Sequence, residues 1–167
     1  MAQNLSIKEL ESRFKEALIR LPAIAGNEVV NFALDNFRKQ GFLGNSFQPW
    51  AKRKTFGSWG KANSREGRAL LVKTGQLRRS IRVTSITTNT VTVGSNVPYA
   101  KTHNEGLRLG FIQTVKPFTR KNGQSVKQHT RRIDQRIPAR PFLADSPYLT
   151  SKLKRVITAE IMKALRQ

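Results

Sequence analysis

No cysteine occurs anywhere in the chain, which excludes disulfides and thiolate metal sites and gives no sign of an oxidising compartment. Acids are scarce as well: ten Asp and Glu stand against 31 Lys and Arg, and histidine occurs twice. Few groups are therefore left for acid–base work or metal ligation. No uninterrupted apolar run approaches the roughly 18 residues that cross a bilayer. The opening "MAQNLSIKELESRFKEAL" has charges spread through it and lacks the apolar core of a signal peptide. The chain is expected to be made and kept in a cytosol, away from membranes.

What is present is positive charge. The formal net charge is +21 and the sequence pI about 11.5, so the molecule must meet something negative or relieve its self-repulsion by assembly. Glu9, Glu11, Glu16, Glu28 and Asp35 crowd into the first part. Between Ala51 and Ala144 only Glu66, Glu105 and Asp134 oppose a long series of Lys and Arg. The basic excess is mid-chain and not a tail. At 167 residues one domain with a real core is expected. Apolar residues make up 38%, below the average for globular chains, so part of the molecule should be extended or assembled against partners.

Ser6 with Glu9 forms a capping box, and Leu5 and Leu10 stand at staple positions. Ile7, Leu10, Phe14, Leu18 and Leu21 then share a helical face, which Pro22 closes or kinks. A second helix is predicted from about Ala25 to Gln40, with Val29, Val30, Ala33 and Phe37 inward and Gly41 as the stop. The stretch 41–68 interleaves Phe42, Phe47, Trp50, Phe56 and Trp59 with Lys52, Arg53, Lys54 and Lys61, without period. It reads as a long ordered loop. Thr74 is placed to cap a short helix carrying Leu77 and Ile81. Alternation predicts a hairpin from Val83 to Val93, and Pro98 and Gly106 bound a short helix from Val97 to Glu105. A second strand pair is predicted at 107–117 and 132–140. Between its strands a polar, basic tip is built on Asn122-Gly123 and expected to project and move. Ser146-Pro147 starts a last helix, with Leu149, Leu153, Val156, Ile157, Ile161 and Leu165 in one stripe. The class is α+β: a central antiparallel sheet with a long projecting hairpin, N-terminal helices (1–40) and a C-terminal helix (146–167) around a β-rich centre (69–145).

"VGSNVPYAKTHNEG" places Tyr99, His103 and Glu105 within seven positions. On a helix Tyr99 and His103 share a face and Glu105 does not. Catalysis would need a convergent partner. Besides Glu105, only Glu66, Asp134, Asp145 and, on the last helix, Glu160 remain after Asp35, and His129 sits on the hairpin tip. There is no H-E-x-x-H, no D-x-D and no carboxylate cluster, so no metal or cofactor is expected. "GSWGKANSREG" is not a phosphate loop, and Ser80 and Ser95 lack a nucleophile setting. The stretch is read as holding a fold or an interface. Trp50 and Trp59 are read as anchors onto the body or a neighbouring subunit, with base stacking and non-specific phosphate contact as the rival reading.

The ordered set "QGFLGNSFQPWAKRK", "LLVKTGQLRRSI", "VTVGSNVPYAKTHNEG" and "RIPARPFLADS" before a terminal helix resembles the phage virion-morphogenesis family. Its members are the tail-completion proteins similar to the G protein of phage Mu and the S protein of phage P2. The resemblance spans about residues 30 to 167. It implies a non-enzymatic virion protein, made in the host cytoplasm, that forms a ring, commonly hexameric, at the head-proximal end of the tail tube. There it would end tube growth and join the tail to neck or connector proteins. Carried over by position, Trp50 and Arg53 match the aromatic-basic stretch, and Thr74, Gly75, Gln76, Leu77 and Ser80 the turn and helix before the central hairpin. Gly94, Tyr99, Ala100, His103 and Gly106 match the packing segment, and Pro138, Ala139, Arg140, Pro141 and Phe142 the entry to the last helix. In a ring, Tyr99 and His103 would pack on a neighbour's backbone and Arg140 would pair with a carboxylate there. Whether the basic surface lines a channel passed by DNA or meets acidic tube and neck proteins stays open. Two other readings remain: a basic nucleic-acid-binding accessory protein, and a head-closure or neck adaptor.

Overall fold

The computed structural model describes residues 6–52 and 69–166. Leu5, Arg53, Phe56, Trp59 and Glu66, with the expectations placed on them, lie outside these. The first element is one helix, α1 (Ile7–Lys39), where two were expected. The Ser6 hydroxyl accepts from the Glu9 N–H at 3.3 Å and the Glu9 carboxylate accepts from the Ser6 N–H at 3.0 Å, closing the capping box. Pro22 stays inside the helix and is buried. A proline there removes one backbone bond at a cost of about 3 kcal/mol. The helix continues because α4 lies along it on both sides of the proline, beside Arg13, Glu16 and Arg20 before it and Glu28 and Phe32 after it, so tertiary packing outweighs the local breaker. By length and composition alone α1 could cross a membrane. Here Phe32, Ala33, Asn36 and Phe37 are buried on the protein's own core.

Gln40, not Gly41, ends α1 in the left-handed region at φ 57°. Its side-chain amide donates to the Phe37 carbonyl at 2.6 Å and its side-chain oxygen accepts from the Leu70 N–H. Gly41 instead opens β1 (Gly41–Leu43), which pairs antiparallel with β2 (Phe47–Pro49). A Cβ at Gly41 would overlap the Phe47 ring and the Gln48 carbonyl. The expected aromatic loop thus begins as a tight hairpin, turned at Gly44-Asn45-Ser46.

α2 (Gln76–Ser80) starts after Gly75, which sits at φ 71° as its N-cap. Thr74 accepts only from the Gln76 N–H, at 3.3 Å. β3 (Arg82–Ile86) and β4 (Val91–Gly94) form the predicted hairpin, with a bulge between Val83 and Ser85. α3 (Ala100–Glu105) follows the turn at Pro98. β5 (Leu107–Val115) pairs along its whole length with β8 (His129–Ile137). The tip carries β6 (Phe118–Thr119) and β7 (Ser125–Val126). α4 (Pro147–Arg166) closes the chain, with the Ser146 hydroxyl accepting from the Leu149 N–H at 3.1 Å. The architecture is α+β. Among the described residues its strands form four separate two-stranded antiparallel ladders rather than one sheet.

The core is compact and aromatic: Ala33, Phe37, Trp50, Leu77, Ile81, Val97, Ala100 and Phe142. Phe37 lies edge-on to Trp50 with centroids 5.4 Å apart and meets Phe142 at 5.1 Å. α4 runs antiparallel along α1. Tyr148 stacks on Phe32 at 6.4 Å, and the Lys152 ammonium meets the Glu28 carboxylate at 2.6 Å. Further along, Arg13, Glu16 and Arg20 share a groove with Glu160 and Lys163.

Candidate assembly interface

The residues singled out from the "VPYAKTHNEG" and "RIPARPF" segments meet at the foot of the β5–β8 hairpin. Gly106 makes this approach possible. It sits at φ 81° and ψ 170°, and a Cβ would lie 2.8 Å from the Ala139 nitrogen and 3.0 Å from the Ile137 oxygen. The two ends of the hairpin are therefore pressed together behind α3. One residue on, the Arg140 N–H donates to the His103 carbonyl at 2.8 Å. The Arg140 side chain is buried, 7% exposed. Its Nε and Nη2 donate to the Ala51 carbonyl at 3.1 and 2.9 Å. Trp50 Nε1 donates to the Pro141 carbonyl at 2.8 Å. Trp50 and Arg140 thus tie the end of the β1–β2 hairpin to the strand leading into α4. Trp50 is an anchor onto the body, and Arg140 faces into the protomer.

His103 is half-buried, with Tyr99 edge-on at 5.8 Å. Its Nδ1 is buried and finds no hydrogen-bond partner among the described residues. Burial, and then the Arg140 guanidinium, push its pKa below the ordinary value, so the ring is neutral near pH 7. Tyr99 is exposed, and its hydroxyl donates to the Gln76 side-chain oxygen at 3.3 Å. Gly75, Leu77 and Phe142 are buried beneath. The Ser80 and Ser95 hydroxyls lie 2.6 Å apart. Ser80 donates to the Leu77 carbonyl and Ser95 accepts from the Val97 N–H. These hydroxyls brace turns.

Among the described residues, Glu105 is exposed at the end of α3, Asp145 is exposed before α4, and Asp134 on β8 faces Arg108 at 3.9 Å. His129 is exposed on the hairpin, with Nδ1 at 3.0 Å from the Lys127 carbonyl. Among the described residues no three His, Asp or Glu side chains are grouped to hold a metal.

Two residues of consequence were not foreseen. Asn104 Oδ1 accepts from the Phe142 and Leu143 N–H groups at 2.9 and 3.0 Å, and its Nδ2 donates to the Leu143 carbonyl at 2.8 Å. Asn36, 1% exposed, donates to the Phe142 carbonyl and accepts from the Leu43 N–H, each at 3.3 Å. Asn36 had a readable signal, a polar residue between Ala33 and Phe37 on the inward face of a helix. Asn104 had none.

Above this clamp the hairpin presents two unlike faces. Cross-strand partners point to the same side. The register therefore sets Leu107/Ile137, Leu109/Gln135, Phe111/Ile133, Gln113/Arg131 and Val115/His129 on one face. Leu109 and Phe111 are 41% and 48% exposed there. The other face carries Arg108/Arg136, Gly110/Asp134, Ile112/Arg132 and Thr114/Thr130. β5 and β8 make their extensive contacts with each other. Half-exposed apolar side chains contiguous on one strand pair have the composition of surfaces that meet other protein chains.

Compared with protein-family models, residues 7–163 match that of the phage virion morphogenesis family. No curated protein and no solved structure matches the chain.

Proposed function

The chain belongs to the phage virion morphogenesis family, and from that premise we propose that it completes a phage tail. It forms a ring, hexameric by the pattern of tail-completion proteins, on the head-proximal end of the tail tube, where it stops tube growth and receives the neck. The activity is structural rather than enzymatic, and the place of action is the virion.

The observation that carries this reading is the apolar face of the β5–β8 hairpin, with Leu109 and Phe111 half-exposed on an element that packs mainly on itself. A two-stranded ladder is marginal alone in water, so such a face is stabilised by a neighbour. The clamp at its foot supports the same reading. Arg140, Trp50 and Asn104 bond main-chain groups there and fix the angle at which the hairpin leaves the body. Tyr99, exposed beside half-buried His103, offers the adjoining contact to a neighbouring subunit. Arg140 acts from behind by holding the His103 carbonyl.

The test is the mass of the purified protein, alone and with tube protein, by light scattering and electron microscopy of tube ends. A ring in solution or on tube ends is expected, and Phe111→Asp should abolish it while leaving the unfolding free energy of the dissociated protomer within about 1 kcal/mol of wild type. A chain that stays monomeric and leaves tube ends bare removes the proposal.

A further inference from the structure

On the ring reading proposed above, on which this inference rests, the face of the hairpin opposite the apolar one is left out of the subunit contact, and its composition is of another kind. Arg108 stands directly across from Arg136, with Arg132 further up the same face. Like charges directly opposite one another destabilise a strand pair. Among the described residues one carboxylate answers them, Asp134, 3.9 Å from Arg108, with Arg108 78% and Asp134 61% exposed. Beyond them the tip adds Arg120, Lys121 and Lys127, all exposed. Water screens this exposed pair at a modest cost to the ladder, and an anion bridging the two guanidinium groups would turn that cost into an attraction.

We propose that this face of the β5–β8 hairpin binds the phosphate backbone of duplex DNA, through Arg108, Arg132 and Arg136. The chemistry favours DNA over an acidic protein. Protein interface cores are depleted in charge and enriched in aromatic groups, a description that fits the Phe111 face and not this one. Ile112, 74% exposed, is the sole large apolar residue among the ladder positions here and stands alone between arginine and threonine pairs, whereas Leu109, Phe111 and Ile133 adjoin one another on the other face. Arg132 and Arg136 are four residues apart on one strand, roughly 13 Å at about 3.3 Å per residue. Duplex DNA offers one negative charge per about 1.7 Å of axis, so about eight phosphate charges lie within that span and no unique register is needed. Guanidinium groups match phosphate oxygens in pairs. The contact is therefore independent of sequence, as suits a ring through which any stretch of genome passes.

The experiment measures binding of a short duplex of arbitrary sequence across about 50–200 mM salt. It compares wild type with the triple variant Arg108→Gln, Arg132→Gln, Arg136→Gln. A charge-matched control carries Lys8→Gln, Lys154→Gln and Arg155→Gln, exposed positions on α1 and α4. With three phosphate contacts gone, the log–log salt slope should become shallower by about 2.7. That corresponds to an affinity advantage of wild type that shrinks about 40-fold across this salt range. The control should keep the wild-type slope. Urea unfolding verifies that both variants fold, and the single variant Arg136→Gln, which relieves the like-charge pair, should change the slope by about 0.9. Equal losses in triple variant and control, or an unchanged slope in the triple variant, overturn the proposal. So does an unchanged DNA slope accompanied by lost binding to purified tube protein, which would assign the face to an acidic protein partner. Tube capping is read separately, so failure of DNA binding and failure of tail completion are told apart.

Discussion

Asn104 is the residue through which α3 holds the entry to α4, and removing its side chain should cost more than its exposure suggests. Asn104→Ala orphans the Phe142 and Leu143 N–H groups and the Leu143 carbonyl, which it now satisfies at 2.9, 3.0 and 2.8 Å. Leaving a buried polar group without a partner costs about 1–3 kcal/mol. These groups are part-buried, so water reaches some of them and the lower end applies. Three groups at about 1 kcal/mol give a loss of about 3 kcal/mol. With a urea m-value of about 2 kcal/mol/M this lowers the midpoint by about 1.5 M at unchanged m, measured at one fixed protein concentration so that assembly does not intrude. Asn104→Asp separates the parts. It keeps the acceptor for both N–H groups but loses the donor and sets a carboxylate against the Leu143 carbonyl, so it should lose about half as much. A loss under about 1 kcal/mol for the alanine variant refutes the accounting. An aspartate variant worse than alanine would mean that repulsion between the carboxylate and the Leu143 carbonyl outweighs the two accepted bonds.

Gly106→Ala forces a Cβ into a backbone region that L-residues avoid and to 2.8 Å from the Ala139 nitrogen, at a cost of at least about 2 kcal/mol. Thermal unfolding should show it, and a wild-type midpoint would mean that the hairpin ends can part freely. His103 carries a pH signature. Its folded pKa lies below the ordinary value near 6.5, through burial first and the Arg140 charge second, so the unfolded chain takes the proton before the folded one does. The stability tied to a neutral His103 is therefore fully present above about pH 6.5 and lost as pH falls through the folded pKa. Denaturation midpoints between pH 7 and 5 should fall more steeply in wild type than in His103→Gln, and parallel profiles would show that the ring is not desolvated.

The parts of this fold that could be read from the chain are those decided within a few residues. The Ser6/Glu9 box, the alternation of Val83 to Val93, the Asn122-Gly123 turn and the Ser146-Pro147 start all rest on local backbone chemistry, and each holds in the structure. Pro22 shows the limit. Read locally it breaks a helix, yet α1 runs through it because α4 lies along a face that extends past the proline on both sides, with the β3–β4 hairpin close against Gly26. Gly75 took the capping place expected of Thr74 because the left-handed turn, and not a side-chain oxygen, sets the start of α2. In the interface, the shared face of Tyr99 and His103 followed from helical spacing. The links from Arg140 to Ala51 and from Trp50 to Pro141 did not, since 89 and 91 residues separate the partners and backbone carbonyls carry no residue code.

The charge distribution gains its meaning only from the register. A net charge of +21 is compatible with diffuse solvation, and composition alone cannot separate a protein-binding surface from a DNA-binding one. Pairing Leu107 with Ile137 sorts the foot of the hairpin into a side led by Leu109, Phe111 and Ile133 and a side led by Arg108, Arg132 and Arg136, with Arg131 and Ile112 the exceptions to each. A slip of one residue would mix them, since it moves a strand's side chains to the opposite face. The register is held at its base by Gly106 and Arg140, which belong to the clamp and to neither face. On the proposed reading a single hairpin therefore serves two partners without conflict. The neighbour takes the apolar side, which stabilises the ladder, and the arginine side stays free for phosphate.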